Sequence, residues 1–93
     1  MITIVRQATV AISNGIHARP SHAIVSIAVD FNAKVRLHFE SRSADAKSIL
    51  SVMTLGAPHG AVIEIHATGD DAEAAAAAIV ELLERDGEVN SAD

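Results

Sequence analysis

Cysteine, tryptophan and tyrosine are missing from this 93-residue chain, and phenylalanine occurs only twice. Without thiols there can be no disulfide, no thiolate metal site and no thiol redox chemistry. With aromatics at 2% there is no platform on which single-stranded nucleic acid could stack. The core must be assembled from Ile, Val, Leu, Ala, Met and the two Phe. Long apolar runs are missing too: nothing approaches the roughly 20 residues needed to span a bilayer. The first residues enter an alternating pattern directly, without a basic n-region or a signal-like apolar stretch. The expectation is a soluble, cytoplasmic protein that neither inserts into a membrane nor binds nucleic acid. Its length allows one domain with a modest core, too small for a deep cleft between domains.

Positive charge is scarce in one part only. Eight acids (Asp70, Asp71, Glu73, Glu81, Glu84, Asp86, Glu88, Asp93) face a single base, Arg85, from residue 70 onward. Residues 1–69 hold four acids and six bases, so this segment is +2 and the C-terminal one −7. Most of those acids read as a solvated helix face. The mildly basic segment suits an acidic protein partner better than a nucleic acid.

What is present is clean periodicity. Ile2, Ile4, Ala8, Val10 and Ile12 alternate, interrupted by Arg6, and Asn14-Gly15 closes the run as a turn pair. Ile24, Ile27, Ala28 and Phe31 recur as the buried stripe of an amphipathic helix. Val35, Leu37 and Phe39 alternate with Lys34, Arg36 and His38, giving a strand with one wet face. A polar turn at 40–43 leads into a short return strand at Ser43–Ala46. Ser48 can cap a short helix carrying Ile49, Leu50, Val52 and Met53, stopped by Gly56 and Pro58. Ala61, Ile63, Ile65 and Ala67 make the last strand. Asp70 and Glu73, spaced like a capping box, open an Ala-rich helix with Ala76, Ile79 and Leu83 inside and Gly87 at its end. The order is β-α-β-β-α-β-α, an α+β chain whose simplest packing is an antiparallel sheet with helices on one face. A single domain over 1–88 is expected, with 89–93 a disordered tail.

Chemistry concentrates at the first strand-to-helix junction, Asn14-Gly15-Ile16-His17-Ala18-Arg19-Pro20. Pro20 is tolerated in a first helical turn, where its missing N–H has no intrahelical partner. The free amides of Ala18 and Arg19 would point at whatever sits on the His17 ring, and a helix N-terminus favours an anion there. A neutral imidazole is a nucleophile, and Arg19 supplies a planar fork for phosphate oxygens. Phosphoryl transfer needs little beyond positioning and charge stabilisation. Taken alone, these residues fit an ordinary helix cap and an ordinary surface charge equally well.

Resemblance separates the two readings. Gly15-Ile16-His17-Ala18-Arg19-Pro20 resembles the active-site signature of the HPr family, the histidine-containing phosphocarriers of the bacterial phosphoenolpyruvate-dependent sugar phosphotransferase system. Lys47-Ser48-Ile49-Leu50-Ser51-Val52-Met53-Thr54-Leu55-Gly56 resembles that family's regulatory-serine helix, at matching spacing, and the likeness continues through Gly60 and Thr68-Gly69. The resemblance implies an open-faced β-sandwich of four antiparallel strands with three helices on one face. It implies a stoichiometric carrier rather than an enzyme, needing no cofactor. His17 would accept a phosphoryl group on Nδ1 from phospho-enzyme I and pass it to the IIA units of permeases, with Arg19 stabilising the phosphate. Ile49, Leu50 and Met53 would form partner-docking surface. Exposed apolar residues on a short helix are more often core than interface, so only part of this set is expected to face out. Ser48 matches the serine modified by HPr kinase/phosphorylase, a role compatible with capping.

Several features stand outside that pattern. Ser21-His22 follows the signature proline where small or aliphatic residues are more usual, and Pro58 is unusual in its turn. His22 lies five residues beyond His17, off the i, i+4 face that metal-binding helix pairs use. His38 and His66 fall on polar strand faces and His59 in a turn, so no metal centre is expected. A carrier of the parallel nitrogen-related branch is the main alternative, and Lys47-Ser48 leans toward the sugar type. A purely regulatory HPr-like module is a second, opposed by the acceptor histidine that such relatives lack. A ligand-sensing domain is a third, with no pocket-forming motif to support it.

Overall fold

The computed structural model describes residues 2–85. Its elements follow the expected order: β1 (Thr3–Thr9), α1 (Ala18–Ala28), β2 (Lys34–Phe39), β3 (Arg42–Asp45), α2 (Ile49–Thr54), β4 (Val62–Thr68) and α3 (Ala72–Glu84). The four strands form one sheet in the order β1-β4-β2-β3, every pair antiparallel. The last strand, β4, is therefore interior, paired with edge strand β1 on one side and with β2 on the other.

Alternation decides which face is buried. Val35, Leu37, Phe39, Ala44, Ile63, Ile65 and Ala67 point into the core, where they meet Ile24 and Ala28 of α1, Val52 of α2 and Ile79 and Leu83 of α3. The helices cover that face, and the other is open. Arg6 breaks the alternation because it sits on edge strand β1, where its guanidinium reaches Glu73 on α3 at 3.7 Å. Both side chains are largely exposed, so the pair adds little to stability.

Three local expectations are corrected. The first strand was expected to run to Ile12, but it ends at Thr9: Ala11 donates its amide to the Leu83 carbonyl on α3, at 2.8 Å, not to the sheet. Val10 and Ile12 remain buried. Helix α1 stops at Ala28, so Phe31 lies beyond it and is only half-buried. The capping box at Asp70 and Glu73 does not form. The N-cap of α3 is Asp71, whose side chain makes no cap bond. Its carboxylate instead accepts the amides of Asn32 and Ala33, both at 2.8 Å, tying the start of α3 to the link between α1 and β2. Gly87 and the 88/89 boundary lie outside the described residues.

On the open face, His38 and His66 meet across β2 and β4 with ring centroids 4.2 Å apart. His66 Nε2 lies 2.8 Å from Glu64 Oε1, and Arg36 is the register partner of His66. Partial desolvation, then the charges of His66 and Arg36, hold the His38 pKa below its ordinary 6.5, with Glu64 opposing them. The folded state thus binds a proton at His38 less readily than the unfolded chain. Its contribution to stability is fully present above pH 6.5 and is lost as pH falls below that value. Urea midpoints should therefore rise between pH 5 and pH 7, and His38→Gln should flatten part of that rise.

Candidate functional site

The loop between β1 and α1 is shaped by two left-handed residues in succession, Asn14 at φ 68° and Gly15 at φ 74°. Gly15 donates its amide to the Ile12 carbonyl at 3.0 Å, closing the turn. Ile16 is buried and donates its amide to the Ala57 carbonyl at 2.9 Å. Beyond the loop, Pro20 and Ser21 are buried in the first turn of α1. Anchors on both sides thus leave His17, Ala18 and Arg19 as the exposed stretch between them.

His17 is the N-cap of α1 in extended backbone geometry, and its carbonyl accepts the Ser21 amide at 2.8 Å. Its side chain makes no cap bond. A serine or aspartate cap would fold back onto the helix amides, whereas this ring is left free. Ala18 and Arg19, as the first two helical residues, have amides without an intrahelical acceptor, and Pro20 has none to satisfy. No acid occupies the first turn. Arg19 is exposed and forms no ion pair with any described residue. An anion on the His17 ring would meet two amides, a helix N-terminus and an uncommitted guanidinium.

Helix α2 packs against α1. Its Val52 and the following Leu55 are buried. Ile49, Leu50 and Met53 are 38%, 76% and 41% exposed, so all three face out, more than expected from a short helix. Ser48 caps α2, its Oγ accepting the Ser51 amide at 3.3 Å. The helix leaves through Gly56, in left-handed geometry at φ 66°, straight into Ala57 beneath the His17 loop. Its C-terminal end therefore lies beside that loop, and Ser48 lies about 9 Å further along the six-residue helix.

Sequence reasoning missed the segment 57–61 as the floor of this site. Gly60 donates to the Val10 carbonyl and Val10 to that of Ala61, both at 2.8 Å, so two loops distant in sequence share three backbone bonds. Ser13, Asn14, Pro58 and His59 line a shallow depression of about 530 Å³ between them. The left-handed Gly60 and the unusual Pro58 were the available signals. Ser21, also unusual, is fully buried, and its hydroxyl has no hydrogen-bond partner among the described residues. His22 and His59 are exposed. Among the described residues no three His, Asp or Glu side chains form a metal-type cluster, and no helix is long and apolar enough to cross a membrane.

Fold and site together define an open-faced α+β protein that presents a free imidazole at a helix N-terminus. The family model described as the "PTS HPr component phosphorylation site" matches residues 4–85. The chain is 31% identical to the phosphocarrier protein HPr from Bacillus anthracis, covering 86% of this chain and 95% of that one with a TM-score of 0.82. HPr from Thermoanaerobacter tengcongensis is 33% identical, with coverages of 90% and 92% and a TM-score of 0.76. The catabolite repression protein Crh of Bacillus subtilis is more distant, 28% identical over 82% of this chain and 87% of that one, TM-score 0.68. The chain belongs to the HPr family of the phosphotransferase system, whose members are phosphocarriers rather than enzymes.

Gly15 is where this architecture is most constrained. A Cβ there would lie 2.5 Å from the Ala57 oxygen and 2.7 Å from Pro58 Cα, whereas one on Gly60, also at positive φ, would meet nothing within 4 Å. Left-handed strain costs a non-glycine residue about 1–3 kcal/mol. Gly60→Ala should lose stability on that scale, and Gly15→Ala distinctly more, as read from urea denaturation of the two variants.

Proposed function

We propose that this chain accepts a phosphoryl group on His17 from phospho-enzyme I and delivers it to IIA units of sugar permeases, in the cytoplasm. The observation that carries this reading is the free, exposed His17 ring at the N-terminus of α1, beside an Arg19 that forms no ion pair with any described residue. In the transfer, the lone pair of the neutral ring at Nδ1 attacks phosphorus, an N–P bond forms, and the donor's bond to phosphorus breaks. The ring's other nitrogen keeps its proton. The Ala18 and Arg19 amides and the Arg19 fork stabilise the charge spread over the equatorial oxygens. Delivery to the IIA unit reverses the geometry, with His17 as leaving group. Ile49, Leu50 and Met53 supply apolar docking surface that a partner can cover. Lys47-Ser48 favours the sugar branch over the nitrogen-related one.

Incubation with phosphoenolpyruvate and enzyme I should add one phosphate, lost in mild acid and stable in base as a phosphoramidate is. His17→Ala should abolish labelling while remaining folded, since the exposed ring makes no cap bond for the substitution to remove. Arg19→Lys keeps the charge but loses the fork, so transfer should slow with folding unchanged. Labelling of His17→Ala at the wild-type level would refute the assignment.

Ser48 we assign a second role, as the site at which HPr kinase/phosphorylase would modulate docking. Phosphoserine adds about −1.5 to −2 charges at neutral pH, which the N-terminus of α2 tolerates and an acidic partner surface repels. Ser48→Asp should raise the apparent KM for enzyme I, by a margin that shrinks as salt screens it. Ser48→Ala should transfer normally and lose about 1 kcal/mol of cap stability. Equal transfer rates for all three forms across a salt series would leave Ser48 a cap alone.

A further inference from the structure

We infer that Pro58 is a positioning residue for the His17 loop, acting through the carbonyl of Ala57. The inference rests on the carrier reading of His17 and names the element that holds that histidine in place. Of the three backbone bonds joining the two loops, two involve Val10 and lie at the sheet end. The third, from the Ile16 amide to the Ala57 carbonyl at 2.9 Å, is the one adjacent to His17. Its geometry depends on where the peptide after Ala57 points.

Two residues set that direction. Helix α2 ends in Gly56 at φ 66°, which turns the chain away from the helix axis. A glycine alone would leave the next peptide free to choose between helical and extended forms. Pro58 removes the choice, because its ring Cδ clashes with a helical preceding residue and holds Ala57 in extended or polyproline geometry. Pro58 then begins a turn in which the Ala61 amide donates to the Pro58 carbonyl at 3.1 Å, with Gly60 at φ 89° in the third position. Ala57 is itself buried, so its carbonyl is shielded from competing water. Gly15 lies directly over this peptide, with room for no Cβ. A shift of Ala57 would therefore be transmitted to Gly15 and Ile16, and from Ile16 to the neighbouring His17. Displacement of a reacting group by an ångström can cost up to a hundredfold in rate.

The experiment compares Pro58→Ala, Pro58→Gly and, as a control on the exposed side of α3, Glu81→Gln. Amide hydrogen exchange of the unphosphorylated chain reads the tether. Phosphorylation of His17 by enzyme I, with kcat and KM resolved, reads its consequence. Pro58→Ala should speed Ile16 exchange at least about threefold more than that of Ile63 and Ile65 in β4, which report global opening. It should lower kcat by about three- to tenfold with KM little changed, because the α2 surface is intact. Pro58→Gly should exceed it in both, and Glu81→Gln should change neither. Ile16 exchange rising no faster than that of β4 would overturn the inference, as a mere loss of global stability does that. Selective exchange with an unchanged kcat would overturn it equally. A wild-type chain that takes no label at His17 would instead refute the carrier reading, and with it this role.

Discussion

Gly15 lies so close to the Ala57–Pro58 peptide that no side chain fits between them, and the position of His17 follows from that contact. The approach requires glycine for space and for its positive φ, and it brings the Ile16 amide to within 2.9 Å of the Ala57 carbonyl. The loop is thus held by backbone on one side and by buried Pro20 and Ser21 on the other. An exposed side chain on a fixed backbone is what a reversible acceptor needs. It must be reachable by two partners, yet its attacking atom must already be placed, because positioning is most of what such a transfer requires.

Charge is distributed to serve this arrangement. The −7 segment, expected to be mostly a solvated helix face, is partly employed in the fold. Asp71 clamps the link between α1 and β2, Glu73 approaches Arg6, and the Glu84 carboxylate accepts the Thr9 amide of edge strand β1 at 3.3 Å. Two backbone bonds hold the Asp71 carboxyl below its ordinary range. The first turn of α1, by contrast, carries no acid. The N-terminal field and Arg19 are then uncompensated, which suits an incoming anion.

The elements were legible because their periods differ: alternation in 35–39 and 61–67, helical spacing in 24–28 and 76–83. The site was legible because a turn pair, a histidine and a proline in the first helical turn mark a helix start from local sequence alone. What the sequence hid was long-range. Nothing near Ala11 announces that its amide turns to Leu83, ending β1 early, and nothing near Asp70 and Glu73 shows that Asp71 is claimed by residues 38 and 39 positions earlier. The role of 57–61 as the floor of the site was hidden for the same reason: a backbone bond between segments 41 residues apart has no local pattern. Lys47 belongs here as well. Its place beside Ser48 gives no sign that its Nζ donates to the Phe31 carbonyl at 2.8 Å, fastening the approach to α2 onto the segment that follows α1.

That fastening bears on why so small a chain can be a carrier without being an enzyme. Helix α2 is held at its start by Lys47 and the Ser48 cap, and at its exit by Ala57 against Ile16. The surface of Ile49, Leu50 and Met53 is therefore presented at a set distance from His17, on a rigid element. Neither the first turn of α1 nor Arg19 offers a general base that could activate water. On the carrier reading, the groups that stabilise a phosphoryl group on His17 are donors, and none of them is a base that would promote its hydrolysis. On the same reading, water exclusion and the second reacting atom would come from the partner that docks beside His17.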